Sequence, residues 1–387
     1  MLMPVYDRSP FALKRGEGVY VYDTDDNKYL DFAAGIAVSS FGHGHPHLIR
    51  ALCQQSEDLW HTSNMYRVPG AERLASRLVS ATFAQTVFFT NSGAEAWECA
   101  FKVLRSFNDA TGRGQRYRVI SCANAFHGRT MAAIAATDQE KLRARFAPLP
   151  DWFRVVPFND LRSVERAIDD SIGGIMFETV QGEGGVTPAT PEFMRGVRDL
   201  CNRHDLLFML DEIQCGIGRT GRFLAHEHFG VSPDVVAVAK ALGAGFPLGA
   251  CLATERAAVG MTLGAHGSTT GGNPLAMAVG NAVLDLVLEP NFLRDVRERA
   301  ALLRRKLQEL VDSDHTGVFV ELRGLGLMLG LVCRVPSRQF VRAARSQGLL
   351  TATAGHNVVR LLPPLTIERV HMDEACEKLR MTLKILE

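Results

Sequence analysis

Short apolar runs recur through the middle of the chain, each bounded by polar or turn-forming residues. Val87-Phe88-Phe89, Val119-Ile120, Ile175-Met176-Phe177, Leu206-Leu207-Phe208-Met209-Leu210 and Val235-Val236-Ala237-Val238-Ala239 are short and uniformly apolar. Such runs read as strands buried on both faces, as parallel strands are. Residues 94–107 and 191–204 carry helical patterns, so helix and strand alternate from Pro46 onward. That alternation predicts an α/β fold with a mostly parallel sheet flanked by helices. After about residue 286 the pattern changes: residues 292–310 form a charged amphipathic helix. Strands are expected near Val318-Phe319-Val320 and over 358–362, with a last helix from Asp373 onward. At the other end, Val19-Tyr20-Val21-Tyr22 and Lys28-Tyr29-Leu30-Asp31-Phe32 flank Asp23-Thr24-Asp25-Asp26-Asn27, a hairpin signature. The expected organisation is a large domain over 46–285 and a smaller α/β domain over 286–387, which the segment 1–45 joins.

A chain of 387 residues with 47% hydrophobic composition is ample for two such cores. Its formal net charge of +1 argues against nucleic acid or an acidic membrane surface as the main partner. The eight cysteines are scattered, with no Cys-x-x-Cys pair, which suits reduced thiols better than a disulfide framework. The first residues, Met1-Leu2-Met3-Pro4-Val5-Tyr6-Asp7-Arg8, lack the basic flank and apolar core of a signal peptide. The apolar stretch 235–253 is interrupted by Lys240, Pro247 and glycines, a poor membrane span. The expectation is a soluble cytoplasmic protein.

Candidate chemistry gathers at two strand ends. One apolar run closes on Lys240, before Gly243-Ala244-Gly245; another closes on Asp211-Glu212-Ile213-Gln214. Open α/β sheets bind ligands at the carboxyl ends of their strands. A lysine against apolar walls can lose its proton and attack carbonyl compounds, and a nearby carboxylate can keep a heteroaromatic nitrogen protonated. That pair points to pyridoxal phosphate, which needs a Schiff-base lysine and a pyridinium partner. Taken alone, a strand-end lysine more often only snorkels to solvent.

Further motifs shift that balance. Thr90-Asn91-Ser92-Gly93-Ala94-Glu95 follows a strand and opens a helix, where free N–H groups attract an anion; an ordinary cap fits it equally well. In Ala125-Phe126-His127-Gly128-Arg129-Thr130, Phe126 could stack on a planar ring and Arg129 could take a carboxylate. Gln181-Gly182-Glu183-Gly184-Gly185 surrounds one acid with flexible backbone. The run from His266 to Pro274 offers hydroxyls and exposed amides to a phosphate. Arg360 is a lone charge in an apolar strand, where it could meet a substrate carboxylate in an interdomain cleft. Two motifs mislead. Gly216-Ile217-Gly218-Arg219-Thr220-Gly221 matches a dinucleotide fingerprint literally, but no long helix opens directly on it. His43, His45 and His47 lack an accompanying ligand set, and Pro46 divides them.

Ser92-Gly93-Ala94-Glu95-Ala96, Phe126-His127-Gly128-Arg129-Thr130, Gln181-Gly182-Glu183-Gly184-Gly185, Asp211-Glu212-Ile213-Gln214 with Gly218-Arg219-Thr220-Gly221, Lys240, and Gly267-Ser268-Thr269 before Gly271-Gly272-Asn273-Pro274 stand in the order typical of class III aminotransferases. The chain resembles that family over nearly its whole length. His61-Thr62-Ser63-Asn64-Met65-Tyr66, Gly35-Ile36-Ala37-Val38, Gln214-Cys215-Gly216 and the compact length are most similar to its acetylornithine branch. Ornithine δ-aminotransferases typically carry tyrosine where Ile36 stands. Aminobutyrate aminotransferases usually run longer. Succinylornithine and succinyl-diaminopimelate aminotransferases need nearly the same pocket and stay open as alternatives; a nicotinamide oxidoreductase rests only on the discounted glycine motif.

The resemblance implies the type I aminotransferase fold, a homodimer with shared active sites, pyridoxal 5'-phosphate, and amino transfer from N2-acetylornithine to 2-oxoglutarate. It implies that Lys240 attaches the cofactor covalently and later shuttles the proton, and that Asp211 pairs with the pyridinium nitrogen. Gln214 would reach the ring hydroxyl, with Glu212 and Ile213 in the same cofactor-binding stretch. Gly93 and Ala94 would bind phosphate through their amides, helped by Thr269 from the neighbouring subunit, while Phe126 stacks on the ring. Arg129 and Ser268 would contact the amine donor, and Arg360 an α-carboxylate. Glu183 would pair with Arg360 and release it for 2-oxoglutarate.

Overall fold

In the computed structural model, which describes residues 1–386, the apolar runs lie in one seven-stranded sheet. Its order is Thr86–Thr90, Gly249–Ala253, Val235–Val238, Leu207–Asp211, Ile172–Glu178, Arg118–Cys122 and Phe153–Val156. Neighbours are parallel except at Gly249–Ala253, which runs antiparallel to both of its own. The apolar stretch 235–253 is therefore two strands folded back on each other, with Lys240 in the connection. Gly249–Ala253 is apolar and fully buried, but its glycine and alanines have little strand propensity of their own.

Successive side chains on these strands enter opposite layers, as the two-residue period requires. Phe208, Leu210, Val236 and Val238 pack on one face; Leu207, Met209 and Val235 pack on the other. Helices Pro191–His204 and Pro274–Val287 cover the first face, and Gly93–Ala110 covers the second. Each leucine or phenylalanine so buried contributes roughly 1.5–3 kcal/mol relative to exposure. Capping fixes where the helices begin. Thr190 accepts from Phe193 N at 3.1 Å ahead of Pro191, and Ser92 Oγ accepts from Glu95 N at 3.3 Å.

A separate core holds Leu303, Leu307, Phe340 and Leu379 together with Val19, Leu30 and Phe32. The N-terminal hairpin thus shares a core with the C-terminal elements, and Leu349–Leu350 extends its sheet by pairing parallel to Lys28–Asp31. A second four-stranded sheet runs Phe319–Leu325, Met328–Cys333, Val358–Leu361, Ala352–Ala354. The last helix begins at Arg369 rather than Asp373; its first turn exposes Arg369 and Val370 but buries Met372 in the same core as Leu379. No single described helix is long and apolar enough to cross a membrane.

The misleading glycine motif lies in a series of turns, with Gly218 and Gly221 at φ 87° and 83°. Only the short 3-10 helix Ala225–Phe229 follows it. Arg219 within it is fully buried with no acidic partner among the described residues; it donates to Pro363 O at 2.5 Å, Leu327 O at 3.3 Å and Ser40 Oγ at 3.3 Å. Burial pushes its guanidinium down to about 9. The motif is thus a clamp between segments, not a phosphate loop. His43 and His47 point apart, to Asp31 Oδ2 at 2.8 Å and Asp285 Oδ2 at 3.0 Å.

Candidate active site

The strand ends converge on a cavity of about 430 Å³. Lys240 and Asp211 both line it, with Gly93, Ala94, Phe126, Ile213 and Gln214. Lys240 follows Val235–Val238 in a left-handed conformation, φ 45°, which for a non-glycine residue stores strain of order 1–3 kcal/mol. Burial, and then the neighbouring Arg360 charge, push its ammonium down to about 8. Proton loss at Lys240 is thus far easier than for a solvated lysine.

Asp211 is 3% exposed. Its Oδ2 meets His127 Nδ1 at 2.7 Å, and its Oδ1 accepts from Ile213 N at 3.0 Å. The His127 ring stacks on buried Trp97, centroids 5.2 Å apart and planes at 17°. Burial alone would strip the proton from His127; the hydrogen bond and charge of Asp211 outweigh it and raise the imidazole pKa. An imidazole so fixed keeps Asp211 oriented into the cavity.

On the opposite wall the helix Gly93–Ala110 presents its first turn. Asn91 N donates to Glu95 Oε2 at 2.6 Å, and Ser92 caps the helix, fixing the entry of the chain. A Cβ on Gly93 would come within 2.8 Å of Ile213 Cγ2, so glycine is needed for the close approach of these two walls. Phe126 shows its ring to the cavity, and exposed Arg129 lies at the mouth with its guanidinium carbon 5.6 Å from that ring's centre.

Arg360 is buried beside the cavity. Its Nη2 is 2.7 Å from Glu183 Oε1, and its Nη1 donates to Gln214 Oε1 at 2.9 Å. Gln214 therefore joins the cavity wall to the arginine–glutamate pair. Ser268 and Thr269 do not line the cavity; Ser268 Oγ accepts from Gly271 N at 2.9 Å, and Thr269 is exposed.

Glu212 corrects the expectation. Alternation along the chain turns it away from Asp211, and it is fully buried behind the wall. There it accepts from Thr179 Oγ1 at 2.9 Å and His226 N at 2.7 Å, so it supports the site without facing it. Two residues went unassigned from the sequence. His127 lay within a noted motif, but nothing local signals its partner Asp211. Glu178 ends the strand Ile172–Glu178 in register with Asp211, and the strand-end argument used for Asp211 would have found it. Nor does the sequence signal the left-handed turn Ala34, Gly35, Ile36, Ala37, at φ 45°, 63°, 64° and 61°. Asp31 Oδ1 holds it by accepting from Ala33 N at 3.0 Å and Ala34 N at 2.8 Å, and the turn delivers Val38 to the cavity.

The sequence model of the family Aminotransferase class-III matches residues 3–383. The chain belongs to the class III aminotransferases. It is 51% identical over 383 residues to the acetylornithine aminotransferase of Mesorhizobium japonicum, covering 99% of this chain and 96% of that one. Among solved structures it resembles the N-acetylornithine aminotransferase of Stenotrophomonas maltophilia, TM-score 0.86 at 38% identity, over 98% and 97% of the two chains. It also resembles the ornithine aminotransferase of Toxoplasma gondii, TM-score 0.95 at 29% identity, over 100% and 93%. The type I aminotransferase fold follows. Class III aminotransferases use pyridoxal 5'-phosphate, and the cavity fits it: a deprotonatable lysine, a buried carboxylate, an aromatic face and a helix N-terminus surround one space.

Proposed function

We propose that this chain transfers the δ-amino group of N2-acetylornithine to 2-oxoglutarate, giving N-acetylglutamate 5-semialdehyde and glutamate, a step of arginine biosynthesis. The full-length 51% identity with the Mesorhizobium acetylornithine aminotransferase carries the reading. Ile36 in place of a tyrosine supports it against ornithine as donor. On this reading the enzyme is a cytoplasmic homodimer, with residues 46–285 as its cofactor domain and 1–45 and 286–387 as the smaller one.

Bound pyridoxal phosphate supplies a ring that drains charge from the carbon beside the amine as that carbon loses its proton. Lys240, buried and pushed down to about 8, is the nucleophile for the cofactor carbonyl. Freed from that bond, its amine would serve as the base that moves the proton. Asp211 would hold a proton on the ring nitrogen, and His127 holds Asp211. Gly93 and Ala94 bind phosphate through backbone amides, with Thr269 supplied across the subunit boundary. Phe126 would stack on the ring, Ile213 would pack against it, and Gln214 would reach its hydroxyl.

Arg129 and Ser268 hold the α-end of the donor at the mouth. Unacetylated ornithine would bring a second cation toward Arg129, so we expect kcat/KM for N2-acetylornithine to exceed that for ornithine at least about tenfold. Glutamate formation with each donor checks this; equal values, or a preference for ornithine, would remove the assignment. N2-succinylornithine in the same assay ranks the acyl group.

Glu183 occupies Arg360 while the amine donor is bound and yields it to the α-carboxylate of 2-oxoglutarate. Glu183→Gln removes the competing charge. The ratio of the two half-reaction rates should then shift about tenfold toward the oxo acid, since a charged hydrogen bond of roughly 1.5–3 kcal/mol is lost in only one of them. Single-turnover measurements check this, and two unchanged half-reactions would end the switch.

A further inference from the structure

The parallel register that sets Asp211 beside Glu178 brings two carboxylates to one cavity, and the chemistry above uses only the first. Glu178 is 5% exposed. Its Oε1 accepts from Phe126 N at 2.9 Å and its Oε2 from Gly182 N at 3.1 Å. Those two N–H groups belong to different loops. One follows the strand Arg118–Cys122 and carries Phe126, His127 and Arg129; the other carries Glu183, ion-paired with Arg360. Gln181 Nε2 adds a second tie between them, donating to Ala123 O at 2.8 Å. Gly182 lies so close to Gln214 that a Cβ there would meet its Oε1 at 2.4 Å, which couples the second loop to the cavity wall.

The bland reading is a buried strand end satisfying two spare amides. Against it stands the cost of the group chosen. Burial, reinforced by the Asp211 charge, pushes the Glu178 carboxyl up to about 7, although His127 and both N–H donors oppose the rise. A glutamine side chain would avoid that cost but offers one acceptor oxygen, where two amides face it. With one donor on each oxygen, a carboxylate accepts from both loops where a glutamine would turn its NH2 toward one of them.

We propose that Glu178 is a positioning residue for transamination, holding the loop of the ring-stacking Phe126 and the loop of the Glu183 switch at a fixed separation. This rests on the cofactor and substrate reading given above. Its consequence is that cofactor affinity and oxo-acid binding share one support. Loosening that support moves both, although Glu178 itself performs no step.

Glu178→Gln is the test. Its amide NH2 must face one of the two N–H donors, which frees one loop. Wild type is measured first: failure of its apoprotein to bind pyridoxal phosphate would refute the cofactor reading, not this one. In the variant we expect pyridoxal phosphate affinity, followed by tryptophan fluorescence of the apoprotein, to fall about tenfold, as the loss of a charged hydrogen bond implies. The circular dichroism of the bound cofactor should weaken, and KM for 2-oxoglutarate should rise about fivefold. A merely structural residue would lower Tm while leaving affinity, dichroism and KM within about twofold of wild type, and that result overturns the proposal. Should the glutamine variant not fold, Glu178→Asp, too short to reach both amides, carries the same expectation and the same refuting outcome.

Discussion

Lys240→Ala will remove transamination while leaving the protein able to take up pyridoxal phosphate. Gly93, Ala94, Phe126 and Asp211 line the cavity beside the lysine and remain in the variant, so non-covalent binding persists. What disappears is both the nucleophile and the base, and the base alone is worth about 10²–10⁴ in rate. We expect kcat to fall on the order of 10⁴ or more, since nucleophile and base are lost together. Borohydride reduction followed by mass spectrometry should fix the cofactor to Lys240 in wild type and to nothing in the variant. Residual turnover above about 1% of wild type would mean that another group performs the proton transfer.

The second large effect is expected at Asp211→Asn. The substitution keeps the shape of a side chain that is 3% exposed and can keep the contact to His127 at 2.7 Å, but it removes the charge. Without a carboxylate the ring nitrogen no longer holds its proton, and the cofactor loses much of its capacity to accept charge. Loss of one preorganised electrostatic contact typically costs about 10²–10³ in kcat, and we expect at least that here. Cofactor binding should be retained, which separates the electronic role from a structural one. Half-reaction rates at saturating amine donor check it. A loss of less than about tenfold would place the pyridinium partner elsewhere, with Glu178 the first alternative on the same cavity wall.

Much of this site was legible because its chemistry sits where strands end. Lys240 and Asp211 each terminate an apolar run, and position at a strand's carboxyl end already separates a site residue from a surface charge. The two-residue period could equally have warned that Glu212, next to Asp211, points into the opposite layer. Contiguous Asp211-Glu212-Ile213-Gln214 therefore do not all face the cavity: Glu212 is a buried acceptor for Thr179 and His226. Arg219 was invisible for another reason. A buried guanidinium satisfied by carbonyls from residues 327 and 363 depends on segments more than a hundred residues away in sequence. The left-handed turn at 34–37 is held by a side chain three residues before it, and three of its four residues are not glycine, so no turn signature marks it. Strand Gly249–Ala253 is stabilised by its two partners and not by its own composition.

The central claim is that one amine donor and one lysine-bound cofactor react in this cavity. The direct measurement is the absorbance spectrum of the purified protein loaded with pyridoxal phosphate, before and after N2-acetylornithine is added without an oxo acid. The account predicts a yellow protein whose visible band is replaced by that of pyridoxamine phosphate, and which regains its colour when 2-oxoglutarate is supplied. A protein that stays colourless with added pyridoxal phosphate would contradict it outright, and a yellow one that ignores N2-acetylornithine would contradict the choice of substrate.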